Sequence, residues 1–302
     1  INLMSFIKGL HDIDNCIKLS KFDGKGLEAI PQENLEKLTA TSPRMRICFL
    51  DLETTGTDYT KDKIIEIAIK CVEITKETGG DIQVIDAYSS LQDPGMLIPE
   101  NATKINGITD EMVKGKSIDW DKVEKVFLMS QLIIAHNAAF DRSFMDTVFS
   151  ISKNKIWACS INDINWEARN FNNVKQELLC IWHGFYYDSH RAMTDVDALI
   201  HLLTHPSYIN NKPIVELIKN AKKSTCRIEA TYAKYEFKDL LKNRNYRWHD
   251  PGTGNKEDKA WCKMVSHEEK ENEIKWLTEN IYNNNFQGKC IEITVIDKYK
   301  SN

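Results

Sequence analysis

The sequence predicts an α/β fold, a mixed sheet flanked by helices, with a small α+β domain at its C-terminal end. Three observations predict it. Ile47–Leu52 is almost wholly apolar, the pattern of a strand buried on both faces. Three strand-like runs open the central region, after which helix-like and strand-like segments alternate. From about residue 225 a separate rhythm of short strands and helices sets in.

The first 43 residues lack a long period and end at Thr41-Ser42-Pro43, so they read as an N-terminal extension with one or two short helices. Strands are expected over Ile47–Leu52, Lys63–Glu73 and Ile82–Tyr88, the last two joined through the turn signal Thr78-Gly79-Gly80. Gln131–Ala135 reads as a further short buried strand. Helical spacing marks Thr109–Lys114, Trp120–Met129, Phe140–Phe149, Val174–Trp182 and Thr194–Leu203. His205-Pro206-Ser207 closes this region, and Pro213–Lys223 reads as a helix leading out of it. The last part suggests a helix at Tyr235–Lys242, strands around Tyr246–Trp248 and Ala260–Val265, a helix at His267–Tyr282 and a strand at Cys290–Ile296. The expected domains are therefore 1–43, 44–210, a linker helix over 211–224, and 225–302.

Composition narrows the class. Of 302 residues, 42% are hydrophobic and 28% charged, which excludes disordered, collagenous and low-complexity chains. No window approaches a membrane span, and the opening residues lack the apolar middle of a secretion signal, so a cytoplasmic protein is expected. Eight scattered cysteines without a Cys-x-x-Cys pair read as reduced thiols. Cys180-x-x-His183, and Cys262 between His249 and His267, are zinc-like spacings without a paired knuckle. Residues 222–302 hold 16 Lys and Arg against 13 acids, whereas the preceding residues hold 24 against 31. An acidic body with a basic tail suits a carboxylate-rich site beside a separate basic surface.

The chemistry starts at Asp51-Leu52-Glu53. Side chains alternate along a strand, so these two acids point the same way, about 6.5–7 Å apart. They repel each other and lose solvation at an apolar strand end, and a hard divalent cation would relieve both costs. Taken alone, they read more simply as marking the strand's emergence into solvent. Asp141 shares a helical face with Phe144, Met145 and Val148, so its carboxylate should be buried, unless it is an ordinary first-turn acid favoured by the helix dipole. Asp195 lines up with Leu199 and Leu202 on an apolar face, whereas Asp197 aligns with His201 and reads as solvated. His190 falls in the loop before that helix, a place suited to proton transfer or to a plain surface histidine.

Together and in this order, these segments resemble the three motifs of the DEDDh, or DnaQ-like, 3′–5′ exonucleases, the family of the proofreading subunit of bacterial replicative DNA polymerase. The matching residues are Asp51-Leu52-Glu53-Thr54-Thr55-Gly56, then His136-Asn137-Ala138-Ala139-Phe140-Asp141, then His190 followed by Asp195. Asn106-Gly107-Ile108-Thr109-Asp110-Glu111-Met112-Val113 is similar to the segment between the first two motifs. The resemblance covers about residues 45–205. It implies an RNase H-like mixed sheet of five strands and two Mg²⁺ or Mn²⁺ ions. It further implies that Asp51, Glu53, Asp141 and Asp195 are metal ligands, with Asp51 bridging and Asp141 acting partly through water. His190 is the implied general base, and Thr54, Thr55, Asn106, His136 and Phe140 the implied lining of the terminal nucleotide's pocket.

The function so implied is two-metal hydrolysis of phosphodiester bonds at 3′ ends of single-stranded DNA or RNA, releasing nucleoside 5′-monophosphates. Expected partners are those 3′ ends and a polymerase or other protein, with no membrane. The competing readings are an oligoribonuclease or small-phosphodiester hydrolase using the same site, and a non-catalytic nucleic-acid-binding scaffold. Residues 219–247 add nine Lys and Arg against three acids, interleaved with Tyr232, Tyr235, Phe237, Tyr246 and Trp248. Cations for phosphates and aromatic faces for unstacked bases suit single-strand binding. A solvated basic helix beside a small aromatic core, or a protein-docking module, has the same composition.

Overall fold

The computed structural model describes residues 18–29, 42–250, 252, 255 and 258–301. Its first unit ends at Ala221 and takes back Tyr299–Ser301; its second spans Lys222–Lys298. In chain order the first unit holds β1 (Ser20–Lys21), β2 (Arg44–Thr54), β3 (Ile64–Thr75), β4 (Gln83–Leu91), α1 (Glu100–Asn106), α2 (Asp110–Val113) and α3 (Trp120–Met129). There follow β5 (Leu132–Ala135), α4 (Ala138–Val148), β6 (Trp157–Cys159), α5 (Gln176–Trp182), β7 (Phe185–Tyr186), α6 (Ala192–Leu203) and α7 (Pro213–Ala221).

The main sheet has five strands in the order β4-β3-β2-β5-β6. β4, β3 and β2 pair antiparallel, and β2, β5 and β6 parallel, so the sheet is mixed and RNase H-like as expected. Alternation along β2 shows why its middle, residues 47–50, is apolar on both faces. Met45, Ile47 and Phe49 pack with α6 and α7, whereas Cys48, Leu50 and Leu52 pack with α3 and α4. Asp51 and Glu53 continue the first row, toward α6. β3 carries Glu66, Ala68 and Lys70 on the matching row, with Glu66 opposite Glu53 and Ala68 opposite Asp51.

Asp197 departs from expectation. It is buried rather than solvated, and its Oδ1 lies 2.5 Å from Lys70 Nζ. Helical phase alone cannot anticipate this, because the lysine that draws Asp197 inward comes from β3. Lys70 also donates to the Leu27 carbonyl at 2.8 Å. Asp197→Ala strands a buried ammonium, and because the Leu27 carbonyl remains, the expected loss is about 3 kcal/mol of unfolding free energy, at the low end for a broken buried pair. Urea unfolding of the variant measures it; a change below ~1 kcal/mol would contradict the pairing.

Part of the segment read as an extension is built into the first unit. β1 pairs parallel with β7, the Phe22 ring stacks on His201 at 4.3 Å, and Lys21 meets Asp188 at 2.7 Å. The short helices expected nearer the N-terminus fall outside the described residues.

The second unit holds β8 (Thr225–Ala230), a 3₁₀ turn at Tyr235–Phe237, α8 (Lys238–Asn243), β9 (Arg247–His249), β10 (Ala260–Ser266), α9 (His267–Asn280) and β11 (Lys289–Ile293). Its sheet is antiparallel, in the order β11-β8-β10-β9. Cys226, Ile228 and Ala230 form one row of β8 and pack with Leu241, Leu277 and Ile281 of the helical side. α9 starts on a capping box between Ser266 and Glu269, and its buried Glu273 accepts from Arg244 at 3.0 Å and Lys263 at 2.9 Å. The helix expected over 235–242 is thus split into a 3₁₀ turn and α8. β1, α1, β6, β7 and β8 lie outside the expected elements, and all but β8 are too short to establish a period.

Among the described residues, no helix is long and apolar enough to cross a membrane. The seven cysteines described are all free. Both ring nitrogens of His183 are engaged, Nδ1 with the Leu179 carbonyl at 2.6 Å and Nε2 with the Tyr208 hydroxyl at 2.7 Å, so the Cys180-x-x-His183 spacing serves packing.

Candidate active site

The end of β2 and the first turn of α6 converge. One ligand oxygen from each of Asp51, Glu53 and Asp195 lies within 4.8 Å of the others, and this is the one such acidic group among the described residues. Asp141, on α4, is only 2% exposed, and its Oδ1 is enclosed without a hydrogen-bond partner. Asp141 stands close enough to Asp51 to raise its pKa. Burial pushes Asp51 well up, and Asp141, Asp195, Glu53 and Glu66 push it further. Burial likewise raises Asp141 and Asp195. Glu53 is pushed up to about 7 by burial and Asp195, against an opposing hydrogen bond from the Asn106 side chain. Four acids that resist ionising together, one with an orphaned buried oxygen, form an oxygen-rich donor set that fits hard divalent cations.

This has a measurable consequence. A carboxyl whose pKa is raised by folding contributes stability below its unfolded pKa and loses it as pH rises through the folded value. For Glu53 that window runs from its ordinary value near 4.5 to about 7. Divalent ions offset the repulsion only where the acids are ionised. Mn²⁺ is therefore expected to raise the melting temperature of the chelator-treated chain markedly at pH 7.5 and little at pH 5. An equal rise at both pH values would argue against a metal held by these acids.

Other side chains hold the acids in place. The Tyr187 hydroxyl donates to Asp195 Oδ1 at 2.7 Å, and Gln176 Nε2 donates to both the Tyr187 hydroxyl and the Asp195 carbonyl at 2.9 Å. The Arg191 backbone N–H donates to Asp195 Oδ2 at 3.1 Å. The Arg191 guanidinium grips Glu66 through two hydrogen bonds, of 2.8 and 3.1 Å, and the Ala192 N–H donates to the same carboxylate. Arg191 thereby ties the start of α6 to β3 and sets a positive charge beside Glu53.

His190 adopts a left-handed backbone, φ 67°, immediately before α6, and its half-exposed ring places Nε2 3.5 Å from Glu177 Oε1. Asn106, at the end of α1, is buried and reaches Glu53. Thr54 donates to the Gly56 carbonyl at 2.6 Å, and Thr55 to Asp62 at 3.0 Å, so both hydroxyls shape the turn after β2. His136 Nδ1 lies 2.6 Å from Ser160 Oγ, and burial lowers the ring's pKa to about 4, leaving it neutral at pH 7. Phe140 lies half-buried, its ring 5.0 Å from that of Phe144.

Residues 48–203 match the exonuclease family model RNase_T, which spans all three motifs. The chain belongs to the RNase_T exonuclease family. Curated relatives of this exonuclease include proteins named DNA polymerase III PolC-type. That of Thermotoga petrophila is 33% identical over 124 residues, 39% of this chain and 8% of the relative. That of Halalkalibacterium halodurans is 35% identical over 165 residues, 51% of this chain and 11% of the relative. The match thus spans about a tenth of those relatives' length. Among solved structures, the zinc-bound E. coli ExoI–ssDNA complex has a similar fold, with a TM-score of 0.50 and 16% identity, covering 74% of this chain and 63% of that one.

Proposed function

We propose that this exonuclease shortens single-stranded DNA or RNA from the 3′ end in a metal-dependent reaction that releases nucleoside 5′-monophosphates. The observation that carries the reading is the convergence of Asp51, Glu53 and Asp195 beside the buried, partnerless oxygen of Asp141. These four residues would hold two Mg²⁺ or Mn²⁺ ions, with Asp51 central to the set. Bound there, such ions lower the pKa of the attacking water and offset charge on the phosphoryl group and leaving oxygen.

The chain's own residues supply the rest. His190 takes the proton from the attacking water, its exposed ring lying next to α6 and within reach of Glu177. Tyr187 and Gln176 fix the orientation of the Asp195 carboxylate, and the Arg191–Glu66 pair fixes the helix that bears it. Thr54, Thr55, Asn106, neutral His136 and Phe140 line the terminal nucleotide. The likeness to part of PolC-type polymerases favours DNA as the strand and a polymerase as the setting.

The test is a degradation ladder. Single-stranded DNA and RNA of one sequence, labelled at the 5′ end, are incubated with the chain in Mg²⁺, Mn²⁺ or EDTA. Stepwise shortening from the 3′ end with either ion, and none in EDTA, is the expected result. Intact strands under every condition would overturn the reading.

A further inference from the structure

The second unit carries a row of aromatic rings and lysines that the site in the first unit does not use, among them Lys238, whose Nζ donates to the Tyr235 hydroxyl at 2.8 Å. It starts at Tyr235, 79% exposed, whose ring lies 4.3 Å below Lys238 Nζ. Lys238 and Lys242 sit four residues apart on α8, hence on one face. Lys242 Nζ lies 6.0 Å from the Trp261 ring centre, and Trp261 meets Trp248 edge-on at 5.5 Å. Trp248, on edge strand β9, remains 53% exposed. These contacts, together with the shared face of Lys238 and Lys242, join Tyr235, Lys238, Lys242, Trp261 and Trp248 into one strip.

Trp261 anchors the strip by packing on the core of the second unit, whereas Tyr235 and Trp248 stay largely outside it. Among the described residues neither lysine forms an ion pair with a carboxylate, whereas Lys263 and Arg244 of the same unit are both committed to Glu273. A tryptophan left half outside a sheet edge forgoes much of the apolar burial available to it. Alternating cations and aromatic faces match a strand that alternates phosphates with unstacked bases; a duplex hides its base faces.

We infer that the strip Tyr235–Lys238–Lys242–Trp261–Trp248 is a binding site for single-stranded polynucleotide. The inference rests on the proposed exonuclease function, because it gives the same chain a second hold on its substrate. The lysines take backbone phosphates, and the tryptophan and tyrosine rings stack on bases. Covalent linkage of the two units keeps a strand held there at high local concentration for the first unit. The strip should thus lower the KM for long strands and leave turnover of a minimal substrate unchanged.

The experiment measures binding without cleavage. Fluorescence anisotropy of a 5′-labelled oligothymidine is followed with the full chain in EDTA, for the unaltered protein, Trp248→Ala, Trp248→Phe and the double variant Lys238→Ala/Lys242→Ala. Trp248→Ala is expected to weaken binding about five- to hundredfold, the range for loss of one stacked base. Trp248→Phe, which keeps an aromatic face, should retain most of the affinity and so separates stacking from misfolding. The double lysine variant should flatten the slope of log affinity against log salt by about 1.4, the value for two single-strand phosphate contacts. Hydrolysis of the p-nitrophenyl ester of thymidine 5′-monophosphate with Mn²⁺ should be unchanged in all variants. Unaltered oligothymidine affinity in Trp248→Ala and the lysine variant would overturn the inference and point to a protein partner for the strip. Equal competition by blunt duplex would overturn it as well. The binding assay does not depend on hydrolysis, so a chain that binds through the strip yet shortens no strand would sink the exonuclease proposal alone.

Discussion

Asp51→Asn is expected to reduce the rate of 3′-end shortening at least about a thousandfold while leaving the metal-free chain as stable as the unaltered one, or more so. The rate loss follows from the position of Asp51 among Glu53, Asp195 and Asp141, where one missing negative charge weakens the hold on ions worth several kcal/mol of transition-state stabilisation. The stability effect has the opposite sign. Asp51 is forced toward its protonated form by burial and by four neighbouring acids, so an amide of the same shape relieves repulsion. Single-turnover rates in Mn²⁺, with urea unfolding in EDTA, read both quantities. Loss of stability in EDTA alongside the rate would mean that Asp51 is a structural residue.

His190→Ala is expected to lower the rate about a hundred- to ten-thousandfold, the usual contribution of a general base. Its effect should separate from that of Asp51. His190 lies outside the group formed by Asp51, Glu53 and Asp195, and its Nε2 faces Glu177. Mn²⁺ affinity, measured by titration of the variant, should therefore stay near that of the unaltered chain. A parallel fall in Mn²⁺ affinity and rate would reassign His190 to holding the acidic cluster together. An unchanged rate would remove it from the reaction.

The sequence made the centre of this site legible because strand alternation is local. Asp51 and Glu53 need only β2 to point the same way, and the phase of α6 is enough to turn Asp195 inward. What stayed hidden were interactions across long separations. Arg191 meets Glu66 from 125 residues away, and Lys70 meets Asp197 between the same two elements. A signal was present in Lys63–Glu73, where Glu66 and Lys70 are charges on one face of an apolar strand. A strand buried on both sides cannot hold such charges without partners, so each forecasts an opposite charge on whatever packs there. The short elements α1 and β6 gave no comparable sign, because three to seven residues do not establish a period.

The parts of the site also come from well-separated stretches of the chain. β2 and β3 meet across a short connection, so juxtaposing Asp51, Glu53 and Glu66 costs little loop entropy. α6 arrives much later along the chain, carrying Asp195 into an already acidic corner. Arg191 leads that helix and reaches Glu66, so a positive charge enters the corner with the final negative one. The bidentate grip thus fastens a helix from far along the chain to β3 and brings a counter-charge into the acidic corner together with Asp195.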